Sequence, residues 1–381
     1  MQFIEAGFPS SNPKEAELFE LLADEDLEQA LICGFGMTRR RGIEAAEDEG
    51  LRTLAETFAP VITLVGKTWS LHLEKVTKVS PEENLAMITE SIEFLVNAGK
   101  RVIYDAEHFF DAWREDAGYS LECLKAAAAA GAENLSLCDT NGSSLPDQVA
   151  SATREVKAAF GDSVELGCHV HNDAECGVAN SLAAVNEGVR LVQGTMNGYG
   201  ERCGNANLVS IIATLGLKKS YRDRFSITVD DERLQNLTHV ARAFDELLNR
   251  APNAQAPYVG KSAFATKAGI HASAIVKEPE TYEHVEPETV GNRRRMLVSD
   301  QAGKSNLVSE LNRVGLNVSK DDKRLDTLLR EVKEREAMGY AYDAADASFE
   351  LLARRTLGSV PHYFDVLSFR VIVEPRDGEM I

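Results

Sequence analysis

No run in this sequence approaches the ~20 continuous apolar residues that a membrane-spanning helix needs. The opening residues, MQFIEAGF, place no basic head before an apolar core, so no signal peptide is expected. Cysteine is sparse. The six cysteines (Cys33, Cys123, Cys138, Cys168, Cys176 and Cys203) are scattered without any CxxC pairing, which reads as a reduced, cytoplasmic protein. Positive charge is also in short supply: 41 Lys and Arg face 60 Asp and Glu, for a formal net charge of −19. That balance argues against nonspecific nucleic-acid binding and against docking on anionic membranes. It leaves room for small anionic substrates, because the local field of a site can oppose the net charge. A GxGxxG after an early strand is missing too, which removes the support for a doubly wound dinucleotide fold.

What is present is a repeating pattern. Apolar, β-branched runs at Gln2–Glu5, Ala30–Gly34, Val61–Val65, Arg101–Tyr104, Asn134–Cys138, Val164–Val170 and Val189–Gln193 read as strands. Helical periodicities separate them. In SPEENLAMITESIEFLVNAG the apolar residues recur at helical spacing, and Ser80 with Glu83 suggests a capping box. Alternating strands and helices imply a parallel sheet, and a spacing of about 30 residues is that of a (β/α)8 barrel. Such a barrel needs eight strands where the pattern offers seven, and the chain opens directly on a strand. The expected fold is therefore a TIM-type barrel lacking its first βα unit over residues 1–225. A helical subdomain (226–345) and the start of a C-terminal domain (346–381) follow, the latter expected as a hairpin or two strands in SFELLARRTL and FDVLSFRVIVEP.

In a barrel of this kind, function gathers at the C-terminal strand ends. The run His169-Val170-His171-Asn172-Asp173 closes one strand, and residues i and i+2 share a face about 6.6 Å apart. Two imidazoles there can ligate one divalent ion; a hydrogen-bonded structural pair is the competing reading. The next strand ends in the glycine-rich GTMNGYGERCGNAN, where Asn205 could add an oxygen or Gly could simply make a turn. Tyr104-Asp105-Ala106-Glu107-His108, Asp139-Thr140-Asn141-Gly142 and Gly66-Lys67-Thr68-Trp69 are further polar strand ends. Each could be a helix cap, but three on one barrel face favour a polar, ligand-binding pocket, with Tyr104, Asp105 and Thr140 among its candidate residues. The Arg39–Arg41 and Arg293–Arg295 runs read as solvated surface or as contacts for phosphates. Asp321–Glu336 reads as an exposed helix face, and Cys203 as a packing residue.

HVHNDAECGVANSLAAVNEG followed by NGYGERCGNANL resembles the signature of the DRE-TIM metallolyase superfamily. Within it, GKTWSLHLEKV, VIYDAEHFFDAW, SLCDTNG, VGKSAFATKAGIHASAIVKEPETYEHV and GNRRRMLVSDQAGKSN most resemble the longer citramalate synthases. The resemblance runs over nearly the whole chain. It implies a divalent metal (Mg, Mn or Zn) on His169 and His171, with Asn205 near or on it. It implies Thr140 on a 2-oxo acid carboxylate, Glu107 beside the acetyl group of acetyl-CoA, and His271 as acid/base assisted by Tyr282. The reaction implied is condensation of acetyl-CoA with pyruvate to (R)-citramalate, in isoleucine biosynthesis, by a cytoplasmic homodimer. A 2-isopropylmalate synthase acting on 2-oxoisovalerate, or a catalytically incomplete fragment, is the alternative. Three departures stand out. The Arg-Asp pair of the family's first strand has no counterpart before Gln2; Thr266 stands where relatives often have His; and only the beginning of a regulatory domain is expected, from about Ala347.

Overall fold

The computed structural model describes all residues except Asp26, Ala344, Ser359, His362, Val373, Glu374, Asp377, Gly378 and Ile381. The expected apolar runs form strands β1 (Phe3–Gly7), β2 (Leu31–Met37), β3 (Val61–Lys67), β4 (Arg101–Glu107), β5 (Asn134–Asp139), β6 (Glu165–Val170) and β7 (Leu191–Gln193). They make one seven-stranded sheet in simple sequential order, parallel throughout. The register sets Lys67 opposite Glu107, Cys138 opposite His169 and His169 opposite Gln193.

Strand alternation sorts the side chains into two environments. On the outer face Ile62, Leu64, Tyr104, Leu135, Leu137, Leu166 and Val170 pack against Leu51, Leu54, Ile88, Ile92, Leu95, Leu124 and Val156 of the crossover helices, forming the main core. On the inner face Cys33, Val61 and Ile103 form a small apolar floor, on which Phe3 of β1 and Leu191 of β7 both pack. Side chains from the two edge strands can meet on one floor only if the sheet curls, as in a barrel. Among the described residues β1 and β7 do not pair with each other. The layer above the floor is polar, with Asp105, His169 and Gln193 linked to one another.

Residues Met1–Gly260 with Glu288–Asn292 form one compact unit, and Lys261–Pro287 with Arg293–Ile381 a second. The second unit contains helices Gly269–Lys277, Lys304–Arg313, Arg324–Ala337 and Asp346–Thr356, and its core includes Val298, Leu307, Leu311, Leu325, Leu328, Val332, Phe349 and Leu352. Here the expected hairpin is corrected. All of SFELLARRTL but its final Leu357 lies in the helix Asp346–Thr356, because Phe349, Leu352 and Ala353 share one buried face at helical spacing. No strand is assigned from Phe364 to Ile372, and part of FDVLSFRVIVEP lies outside the described residues. The capping box is also only half formed. Ser80 Oγ accepts from the Glu83 N–H at 3.2 Å, while the Glu83 carboxylate pairs with Arg39. Among the described residues no helix is long and apolar enough to cross a membrane.

Gly66 gives the packing a direct test. A Cβ at this position would sit 2.6 Å from Cε2 and 2.7 Å from the hydroxyl of Tyr104, whose ring is wholly buried and has no room to retreat. Gly66→Ala should therefore lower unfolding stability by about 1–3 kcal/mol, read as a lower urea midpoint with an unchanged m-value. An unchanged midpoint would show that the Tyr104 ring is free to move aside.

Candidate functional site

His169 and His171 occupy alternate positions at the end of β6, with ring centroids 5.2 Å apart. His169 Nδ1 lies 2.7 Å from Gln193 Oε1, and Gln193 Nε2 donates to Asp105 Oδ1 at 2.7 Å. The chain of bonds fixes a tautomer. With its amide nitrogen committed to Asp105, Gln193 offers an oxygen, so His169 donates from Nδ1 and turns Nε2 toward Asn205. The Asn205 amide stands 3.1 Å from that Nε2. His171 is buried, and its Nδ1 has no hydrogen-bond partner. Burial first, then the neighbouring His169 and Arg202, depress its pKa to about 4, so the ring is neutral at ordinary pH.

The glycine-rich loop is shaped around Asn205. A Cβ on Gly200 would fall 1.9 Å from Asn205 Oδ1, and one on Gly204, at φ +90°, would fall 2.0 Å from the Gly198 carbonyl oxygen. Asn205 bridges to His171 across the backbone, and Gly204 O accepts from the Asn172 N–H at 2.8 Å. Arg202, in the left-handed region at φ +51°, closes the loop. Its guanidinium holds Asp173 at 2.8 and 3.0 Å and donates to the Thr140 carbonyl at 2.7 Å.

A second cluster stands at the ends of β3 and β4. The Lys67 ammonium pairs with the Glu107 carboxylate, His72 Nδ1 lies 3.8 Å from Glu107 Oε2, and the His72 and His108 rings are 4.4 Å apart. His108 sits in the left-handed region at φ +56°; its N–H donates to Thr140 Oγ1 at 2.8 Å.

The two clusters compete as homes for a divalent ion. His72, Glu107 and His108 bring three ligand atoms within 4.8 Å of one another, whereas His169, His171 and Asn205 offer two imidazoles and an amide. The second set fits better. One of its imidazoles, His171, is kept neutral by burial and has a buried nitrogen without a partner, while Gln193 and Asp105 orient the other, His169, as outer partners orient metal-bound histidines. That donor set suits Mg, Mn or Zn. In the first set Lys67 already neutralises the carboxylate.

Of the other residues singled out in the sequence, Asp105 is buried in the inner polar layer, while Thr140 and Glu107 are half-buried at the strand ends. Tyr104 is corrected. Alternation turns it to the helix side of the sheet, where it is fully buried in the main core and cannot line a substrate pocket. His271 and Tyr282 lie in the second unit, both exposed, their rings stacked 4.2 Å apart. The arginine runs are largely ion-paired: Arg39 with Glu83 and Glu90, Arg40 with Asp48, Arg294 with Glu283. Gln193, Arg202 and His72 escaped the sequence reading. Gln193 alone carried a signal there, as the polar end of a strand.

The HMGL-like family model matches residues 1–243, and a model described as homocitrate synthase post-HMGL domain-like matches residues 258–339. The chain is 45% identical over 376 residues to the (R)-citramalate synthase of Geobacter sulfurreducens, covering 99% of this chain and 70% of that protein. It is 44% identical, with the same coverage, to the (R)-citramalate synthase of Aquifex aeolicus. A 2-isopropylmalate synthase of Sulfolobus acidocaldarius matches at 32% over 90% of this chain and 84% of its own length. Among solved structures, the HMG-CoA lyase of Bacillus subtilis superposes with TM-score 0.53 at 19% identity, covering 66% of this chain and 82% of that one; it bears out the barrel-type fold.

Glu5 on β1 provides a pH test of the polar interior. It keeps contact with solvent, but it stands in the concavity beside Asp105, His169 and Thr63. Burial, and then the Asp105 charge, push its pKa from 4.5 up to about 7. The folded chain therefore holds a proton that the unfolded chain releases between those two values, and stability falls as pH rises through that window. Glu5→Gln has no charge to desolvate. It should be more stable than the parent above pH 7, by on the order of 1 kcal/mol after discounting for solvent access, and indistinguishable below pH 4.5. Denaturant midpoints at the two ends of the range decide it; an equal difference at both would show that Glu5 does not titrate in this way.

Proposed function

We propose, since the chain belongs to the HMGL-like family and within it to the citramalate synthases, that it condenses acetyl-CoA with pyruvate to give (R)-citramalate and CoA. The observation that carries this reading is the pair of imidazoles at the end of β6, His169 oriented through Gln193 and Asp105, at the strand-end face that also bears Glu107 and Thr140. The identity of 45% over nearly the whole chain to an (R)-citramalate synthase supports pyruvate as the oxo acid.

His169 Nε2, a ring nitrogen of His171 and the Asn205 amide would hold the divalent ion, whose chemistry when bound is to polarise the ketone of the oxo acid. The Thr140 hydroxyl accepts from the His108 N–H and keeps its own proton to donate to the substrate carboxylate. Glu107, fixed by Lys67, is assigned to the acetyl group. His271, with Tyr282 stacked on it, is assigned the proton transfer. Loss of a methyl proton from the thioester lets the acetyl carbon form a bond to the ketone carbon, and the ketone oxygen takes up a proton. Water then cleaves the citramalyl thioester; its oxygen ends in the carboxylate and the CoA thiolate leaves. A cytoplasmic homodimer belongs to the same reading.

CoA release measured with pyruvate and with 2-oxoisovalerate tests the substrate. Turnover should favour pyruvate, and a clear preference for 2-oxoisovalerate would overturn the assignment. In the same assay Glu107→Gln should lower kcat by roughly 10²–10⁴-fold while leaving metal binding intact. His171→Ala should lose metal affinity, read by equilibrium dialysis without substrate. Near-normal turnover of the Glu107 variant would remove it from the reaction.

A further inference from the structure

The pocket formed by His72, Glu107 and His108 has the residues of a transition-metal site and yet contains a lysine. One ligand atom from each of the three lies within 4.8 Å of the others. Trp69 walls the two rings, at 5.7 Å from His72 and 5.4 Å from His108. His72 Nδ1 is buried without a hydrogen-bond partner, which leaves a donor atom uncommitted in the pocket. Burial holds this ring toward its neutral form, with His108 adding to the effect. Such a set of two imidazoles and a carboxylate matches the preferences of zinc or nickel.

Lys67 is what stands in the way. The β3–β4 register places it directly opposite Glu107, the pair contact each other, and the lysine side chain is only 12% exposed. We propose that Lys67 acts as the built-in cation of this pocket, a positioning residue that keeps Glu107 available to the reaction by denying the His72–Glu107–His108 site to soft divalent metals. An ammonium supplies one positive charge with no demand for further ligands. A zinc ion would draw Glu107 into its own coordination, and bringing it in beside Lys67 sets two cations against each other at close range. The part of this inference that concerns turnover rests on the role proposed above for Glu107; the part that concerns metal binding does not.

Zinc stoichiometry measured by competition with a chromophoric chelator, in excess Mg²⁺, separates the two. Relative to the parent protein, Lys67→Gln should gain one zinc site of at least ~100-fold higher affinity than that pocket offers in the parent. Lys67→Arg should gain none, and the Lys67→Gln, His72→Ala double variant should lose the gained site. Zinc should inhibit the Lys67→Gln enzyme reversibly, with chelator restoring turnover. No additional zinc in a folded Lys67→Gln protein would overturn the proposal. So would a zinc bound by the parent and lost in His72→Ala alone, a measurement that needs no Lys67 variant to fold. If the additional zinc binds and turnover is untouched, Lys67 guards the pocket as proposed and the assignment of Glu107 to the reaction falls instead.

Discussion

Everything at the strand ends depends on one hydrogen-bonded chain, from Asp105 on β4 through Gln193 on β7 to His169 on β6. Asp105 and Gln193 are 88 residues apart, and β4 and β7 are not neighbours in the sheet. Only curvature brings them into contact. The bond therefore records the closure of the sheet around its interior, and it sets a proton on His169 Nδ1 that leaves Nε2 to face Asn205. Fold and chemistry meet in that one contact. A flat sheet of the same strands would have no such tautomer control.

The polar layer carries an energetic cost that the apolar layers on either side offset. Beneath it lies the floor of Val61, Ile103 and Cys33; around it runs the helix-side core built on Leu51, Leu54, Ile62 and Leu64, all fully buried. Those contacts hold charged and unpartnered groups where they would not otherwise settle. Asp105 is driven toward its protonated form by burial, against the pull of His169. His171 keeps a buried nitrogen without a partner. Buried polar atoms usually find partners, so an orphan beside a second oriented imidazole is a cost that the surrounding apolar layers offset.

The sequence revealed the strands because each is short, apolar and set off by a helical pattern, and it revealed His169 and His171 because two-residue spacing means a shared face in a strand. It misplaced Tyr104 for a related reason. The same alternation that turns Asp105 and Glu107 inward sends Tyr104 outward, but a polar strand end read as a block does not show which members face in. The helix Asp346–Thr356 was hidden because Phe349, Leu352 and Ala353 are separated by three and four residues within an otherwise mixed segment, and the β-like composition that follows biased the reading. Gln193 and Arg202 could not be assigned roles from spacing, since each acts on a residue at least 24 positions away. Such partners exist only once the strands are in register.

Charge completes the division of labour. Two pockets of comparable ligand content open on one face of the sheet, and they differ in what balances them. Beside His169 the carboxylate, Asp105, is engaged by Gln193. Around Glu107 the cation is already covalently part of the chain, as Lys67. Glu107 thereby has a permanent, monovalent partner with no demand for further ligands. Strand register thus gives the two clusters different charge partners: an amide and a carboxylate beside His169, and an ammonium beside Glu107.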